Sequence, residues 1–122
     1  MVKKIIIIAD SKHSYINSMQ QVLEEQGYEI LIAYDGVFGL NMVRDVKPDL
    51  VLIDSKLSGF NGYQICSLIK LDTKYEDIHV IIMTDENDRK RRILTSSCEA
   101  DGYLEKPIDF NILVDRIRYV DN

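Results

Sequence analysis

The sequence predicts an α/β fold: a doubly wound (βα)5 three-layer sandwich whose parallel five-stranded sheet has the order 2-1-3-4-5. Three observations predict it. Short apolar runs recur near residues 4–9, 29–33, 50–54, 78–83 and 102–105, and longer segments with helical spacing lie between them, at roughly 13–26, 36–46, 61–71, 87–98 and 109–120. Ile5–Ile8, Leu50–Ile53 and Val80–Met83 are apolar at every position. A strand with one wet face alternates, so these runs need cover on both sides. Five βα units in 122 residues imply right-handed crossovers, and the order 2-1-3-4-5 sets the first strand beside the third.

Each element has its own signal. The opening run, Lys4 to Ala9, has an apolar core too short for a signal peptide and is cut by Asp10, so it reads as the first strand. Met19, Val22 and Leu23 share one face of the first helix, and Gly27 supplies its C-cap. The second strand follows at once. Asp35, Asn61 and Asp109 each stand just before a helical pattern, where their side chains serve as N-caps. Pro48 breaks the chain ahead of the third strand, and Pro107 does so ahead of the last helix. No repeat or linker divides the chain, so residues 1–122 form one domain.

Composition narrows the function. A net charge of −5 disfavours nucleic acid or an acidic membrane as direct partner, because phosphate binding needs clustered positive charge. The basic run Arg89-Lys90-Arg91-Arg92 reads as a solvated helix face. No stretch approaches the roughly 20 apolar residues of a membrane span. Cys66 and Cys98 fit no metal spacing and read as packing residues in a reducing, cytoplasmic compartment. No Gly-rich phosphate loop follows the first strand, which argues against flavin or dinucleotide binding.

The chemistry gathers where the strands end. Ile5–Ile8 runs into Ala9-Asp10, Leu50–Ile53 into Asp54, Val80–Met83 into Thr84, and Tyr103-Leu104 into Glu105-Lys106. In a parallel sheet these ends share one edge, so Asp10, Asp54, Thr84 and Lys106 meet in one crevice. Mg²⁺ takes hard oxygen ligands and needs only one or two carboxylates beside phosphate oxygens. An Asp next to it can attack a phosphoryl group and become an aspartyl phosphate. Lys106 and the Thr84 hydroxyl would balance the charge spread over the transferring oxygens. Asp54 is the natural acceptor.

These residues carry a resemblance. Pro48-Asp49-Leu50-Val51-Leu52-Ile53-Asp54, then Leu57-Ser58-Gly59 and Asn61-Gly62, then Thr84 and Asp101-Gly102-Tyr103-Leu104-Glu105-Lys106-Pro107, resemble the receiver domain of two-component response regulators. The likeness covers essentially the whole chain and implies a flavodoxin-like fold. It further implies that a sensor histidine kinase or phosphotransfer protein donates to Asp54 with Mg²⁺ present. Thr84 and Tyr103 would then act as switch residues that alter the surface read by a downstream protein or output domain. It implies metal contacts from Asp10, Asp54 and the Lys56 backbone carbonyl, and dimerisation through the last helices is common in the family. Such a domain promotes its own phosphoryl transfer and dephosphorylation and is not a turnover enzyme.

The chain departs from that pattern in several places. The family usually has two adjacent acids after the first strand. Gap-free counting puts Asp10 on the first and Ser11 on the second, and a neutral hydroxyl is a weaker ligand for Mg²⁺. The other register sets Ala9 and Asp10 on the pair and needs one more residue in the first helix. Lys56 either partly replaces the metal's charge or points to solvent. Asp85 repels phosphate, supplies the missing carboxylate, or caps a helix. Glu99 stands where the family often has Gly, so that turn is expected to be built differently. His13 lies near the mouth of the site but has no second His or Cys for metal binding, and it reads as a surface loop residue. Loss of one acid and gain of Asp85 also motivate a second reading, an atypical receiver that acts as a phosphorylation-independent interaction module.

Overall fold

The structure, a computed structural model, describes residues 2–85 and 98–121. The strands β1 (Lys4–Ile8), β2 (Glu29–Ala33), β3 (Leu50–Asp54), β4 (His79–Thr84) and β5 (Gly102–Glu105) form one sheet of order β2-β1-β3-β4-β5. Every neighbouring pair is parallel. Helices α1 (Tyr15–Glu25), α2 (Gly36–Val46), α3 (Gly62–Lys70) and α4 (Phe110–Asp121) complete the described elements. Residues 87–97 of the expected helix at 87–98, with the basic run among them, lie outside the described residues.

The continuous apolar strands do what their pattern requires, because successive side chains point to opposite faces. Ile5, Ile7, Leu50, Leu52, Ile81 and Met83 join Met19 and Leu23 of α1 and Leu113 and Ile117 of α4 in one core. Ile6, Ile8, Val51, Ile53, Val80 and Ile82 join Val43 of α2 and Ile65, Cys66 and Ile69 of α3 in a second core on the other face. Each fully buried Ile or Leu contributes roughly 1.5–3 kcal/mol relative to exposure. The sheet is thus dry on both sides, as its composition demands.

Local chemistry sets the ends. α1 stops in a Schellman arrangement, with Tyr28 N–H donating to Leu23 O at 3.2 Å and Gly27 N–H to Glu24 O at 2.9 Å. Gly27 has φ +94°, which its missing Cβ permits. Asp35 accepts from Phe38 N–H at 2.7 Å and Asp109 from Asn111 N–H at 2.9 Å, so both expected caps form. Asn61 builds a full capping box with Gln64. Replacing Asn61 with Ala is expected to lower stability by about 1 kcal/mol, read as a shift in the urea midpoint with unchanged slope.

Two turns run against residue preference. Lys47 ends α2 in the left-handed region at φ 52°, its N–H bonded to Val43 O at 2.9 Å. Glu99 takes φ 60°, so the turn expected to be rebuilt around a non-Gly residue keeps the left-handed geometry. It is held there from both sides. Cys98 is buried, and Asp101 exchanges two bonds of 2.8 Å with the Val80 backbone. Glu99 itself is exposed, so its Cβ bears a strain of roughly 1–2 kcal/mol without a packing clash.

Candidate functional site

The sheet register brings the sequence-derived residues to one edge. Ile8 pairs with Ile53, so Asp10 and Asp54 follow neighbouring strand ends. Asp54 pairs with Met83, which places Thr84 one step beyond it, and Thr84 pairs with Glu105, directly before Lys106. Lys106 N–H donates to Thr84 O, fixing the β5 exit against β4. On the other side, Gly62 N–H donates to Ser55 O at 3.0 Å and seats α3 beneath β3.

Asp54 is fully buried, yet its carboxylate is well supplied with donors. Lys56 N–H donates to Oδ1 at 2.9 Å. Lys106 Nζ lies 2.7 Å from Oδ2. The Tyr15 hydroxyl donates to the same Oδ2, and His13 Nε2 stands 3.3 Å from it. A buried carboxylate survives as a charge only when paired and hydrogen-bonded, and this one is both.

Tyr15 and His13 are the residues that sequence reasoning missed. His13 does lie in the partly exposed loop before α1, but its ring turns back beside Asp54. Tyr15 opens α1, its ring 5.2 Å from the His13 ring and 5.8 Å from Lys106 Nζ. Burial, reinforced by the hydrogen bond to Asp54, pushes the Tyr15 hydroxyl well above its ordinary range, so it stays a donor. Period and spacing placed Tyr15 at a helix start, but nothing local says which way a first-turn ring points. The one available signal was its position five residues past Asp10, where a long side chain can reach back over the strand ends.

Thr84 carries the second informative feature. It is fully buried at the end of β4, and among the described residues its Oγ1 has no hydrogen-bond partner. A buried hydroxyl left without a partner costs about 1–3 kcal/mol, and it is ready to donate to an incoming oxygen. Lys56 and Asp85 also resolve. Their side chains pair across the mouth at 2.6 Å, so the exposed Lys56 ammonium is engaged by Asp85 rather than turned inward to the metal site. Repulsion of phosphate by Asp85 is correspondingly reduced. Its capping role falls on residues outside the described ones.

The metal-ligand set is only partly assembled. Asp10 is half-buried, and its Oδ1 accepts from Lys12 N–H at 3.0 Å in the turn after β1. Ser11 is exposed. No cluster of three or more His, Cys, Asp or Glu side chains able to hold a metal occurs among the described residues. Two carboxylates and a backbone carbonyl remain, all hard oxygens. That donor set fits Mg²⁺ completed by water and phosphate oxygens, and it does not make a closed protein cage.

Tyr103 is half-buried against the second core, with its hydroxyl 3.5 Å from Cys98 Sγ. Burial, and then the bond to Cys98, raise the Tyr103 hydroxyl above its ordinary range. Cys66 Sγ donates to Cys98 O at 3.3 Å. Hydrogen bonds from Cys66 and Tyr103 pull the Cys98 thiol below its ordinary range, against the opposing effect of burial. The two cysteines are packing residues, as expected, but one of them also touches the aromatic at the switch position.

Known proteins resemble this chain. The family model for the response regulator receiver domain matches residues 6–118. The DNA-binding response regulator MtrA of Mycobacterium tuberculosis is 31% identical over 113 residues, 93% of this chain and 48% of that protein. The chain therefore spans about half the length of the curated relatives it matches. A CheY-like response regulator receiver domain protein from Methanospirillum hungatei superposes with a TM-score of 0.87 at 25% identity, covering 98% of this chain and 93% of that one. The chemotaxis response regulator CheY4 of Vibrio cholerae gives 0.87 at 21% identity over 98% and 99% of the two chains, a likeness of fold. No helix among the described residues is long and apolar enough to cross a membrane.

Proposed function

The chain belongs to the response regulator receiver domain family, and from that premise we propose that it is a phosphoacceptor module in which Asp54 takes a phosphoryl group from a phosphohistidine of a sensor kinase or phosphotransfer protein. The observation that carries the reading is the pairing of a fully buried Asp54, held 2.7 Å from Lys106 Nζ, with a buried Thr84 hydroxyl that has no partner among the described residues. Asp54 supplies the nucleophile. Lys106 balances negative charge on the transferring group, and Thr84 donates to one of its oxygens. Asp10, Asp54 and the Lys56 carbonyl are the groups that would hold Mg²⁺, whose chemistry here is to neutralise phosphoryl charge.

The switch follows from the same residues. Thr84 gains a partner when an oxygen arrives, and a shift of β4 against β5 reaches Tyr103, one strand over. The surface of β5 and α4 is then the one a downstream protein or output domain reads. The domain acts as a signalling switch and is not a turnover enzyme. The DNA-binding named for the relatives belongs to proteins about twice as long, and a net charge of −5 speaks against nucleic acid as a direct partner of this chain.

The test is incubation with acetyl phosphate, with and without Mg²⁺, read by intact mass. One phosphoryl group is expected on the wild type and none on Asp54→Asn. A folded domain that takes up none at any Mg²⁺ concentration would sink the reading. The phosphorylation-independent interaction module would then stand in its place.

A further inference from the structure

The donors around Asp54 are unequal in what they leave open. A carboxylate offers about four lone-pair sites, two on each oxygen. Oδ1 accepts the Lys56 N–H, while Oδ2 faces Lys106 Nζ, the Tyr15 hydroxyl and His13 Nε2 together. Attack through Oδ2 keeps the transferring phosphoryl group beside Lys106, the cation that balances it. Lys106 Nζ and the Tyr15 hydroxyl together take both lone-pair sites of that oxygen, while His13 Nε2 stands nearby at 3.3 Å without a hydrogen bond to it.

We propose that Tyr15 holds the acceptor closed: its hydroxyl occupies the Asp54 oxygen that bonds phosphorus, and its withdrawal sets the rate of phosphoryl transfer. This rests on the phosphoacceptor reading of Asp54. Of the two donors that take those sites, Tyr15 is the one that can leave. Lys106 is required for charge. Tyr15 is the first residue of α1, and Ser14 at the N-cap makes no side-chain capping bond. The first turn is therefore weakly tied. The ring is half-buried, so it can swing toward solvent without opening the core. In the transfer step, Oδ2 forms the new O–P bond as the bond between phosphorus and the acetate oxygen of acetyl phosphate breaks. Acetate leaves with that electron pair, and no proton is exchanged. Tyr15 acts by position, since it opposes formation of the attacking lone pair and takes no part in bond exchange.

The measurement is the rate of phosphoryl uptake from acetyl phosphate with Mg²⁺, over a range of donor concentrations, for wild type and Tyr15→Phe. The Phe ring keeps the packing against His13 and Lys106 and removes only the hydroxyl. The maximal rate is expected to rise by about tenfold, the equivalent of removing one ground-state hydrogen bond to a charged group. The half-saturating donor concentration should stay the same, a split that a purely structural role would not produce. A maximal rate that is unchanged or lower in Tyr15→Phe, while wild type still takes up phosphate at Asp54, overturns the role of Tyr15 alone. No uptake by either protein overturns the phosphoacceptor reading and this inference with it.

Discussion

Lys106→Met is expected to slow phosphoryl uptake at Asp54 by roughly 10²–10³-fold, the usual loss when one positioned charge-stabilising donor is removed. Met keeps the length of the stem and deletes the ammonium that stands 2.7 Å from Oδ2. The stability effect has a definite sign as well. Removing one partner of a buried pair strands the other charge and costs up to about 3–5 kcal/mol. Asp54 is fully buried, but it retains the Lys56 N–H and the Tyr15 hydroxyl. The loss should therefore fall lower, at about 1–3 kcal/mol. Initial rates by intact mass and urea unfolding separate the two effects. A variant that phosphorylates at the wild-type rate would remove Lys106 from the mechanism.

Gly62→Ala is the other change with a large expected effect, and it reaches Asp54 from below. A Cβ on Gly62 would lie 2.3 Å from Asp54 O, 2.9 Å from Asp54 C and 2.9 Å from Ser55 Cα. All three are backbone atoms, so no rotamer change relieves the clash. Either the start of α3 lifts away, breaking the Gly62 N–H bond to Ser55 O, or the end of β3 moves and carries the acceptor with it. Overpacking of this kind costs about 1–3 kcal/mol. A displacement near 1 Å at the nucleophile costs on the order of 10²-fold in rate. The contrast is Gly27, where nothing lies within 4 Å and only its positive φ favours glycine. A Gly62→Ala protein with wild-type unfolding midpoint and wild-type uptake would contradict this account of the α3 seat.

Much of the fold was legible because it rests on short-range rules. Runs such as Leu50–Ile53 have no polar position to turn outward, so two covering layers and a parallel sheet follow from composition alone. Asp35, Asn61 and Asp109 declared three helix starts through side chains that bond within three residues. The shared edge of Asp54, Thr84 and Lys106 follows from strand ends and order. What stayed hidden needs directions in space. The Lys56–Asp85 pair joins loops of different strands, and its partners are 29 positions apart. Tyr15 and His13 reach Asp54 only because the loop after β1 folds back, which no periodicity encodes. Glu99 shows the reverse case. Its residue preference was read correctly, and tertiary anchoring at Cys98 and Asp101 overrode it.

The division of the sheet's side chains into two cores has a consequence for how this chain can change over time. Ile7 and Ile8 are adjacent in sequence, yet they pack with different residues on opposite faces. A methyl lost beneath α1 and α4 is therefore felt by Met19, Leu23 or Leu113, and cannot be compensated by growth beneath α2 and α3. Mutations on the two faces share few partners and should combine nearly additively. Each face can diversify at its own pace, and a lineage could remodel the helices on one side while the other keeps its inherited packing.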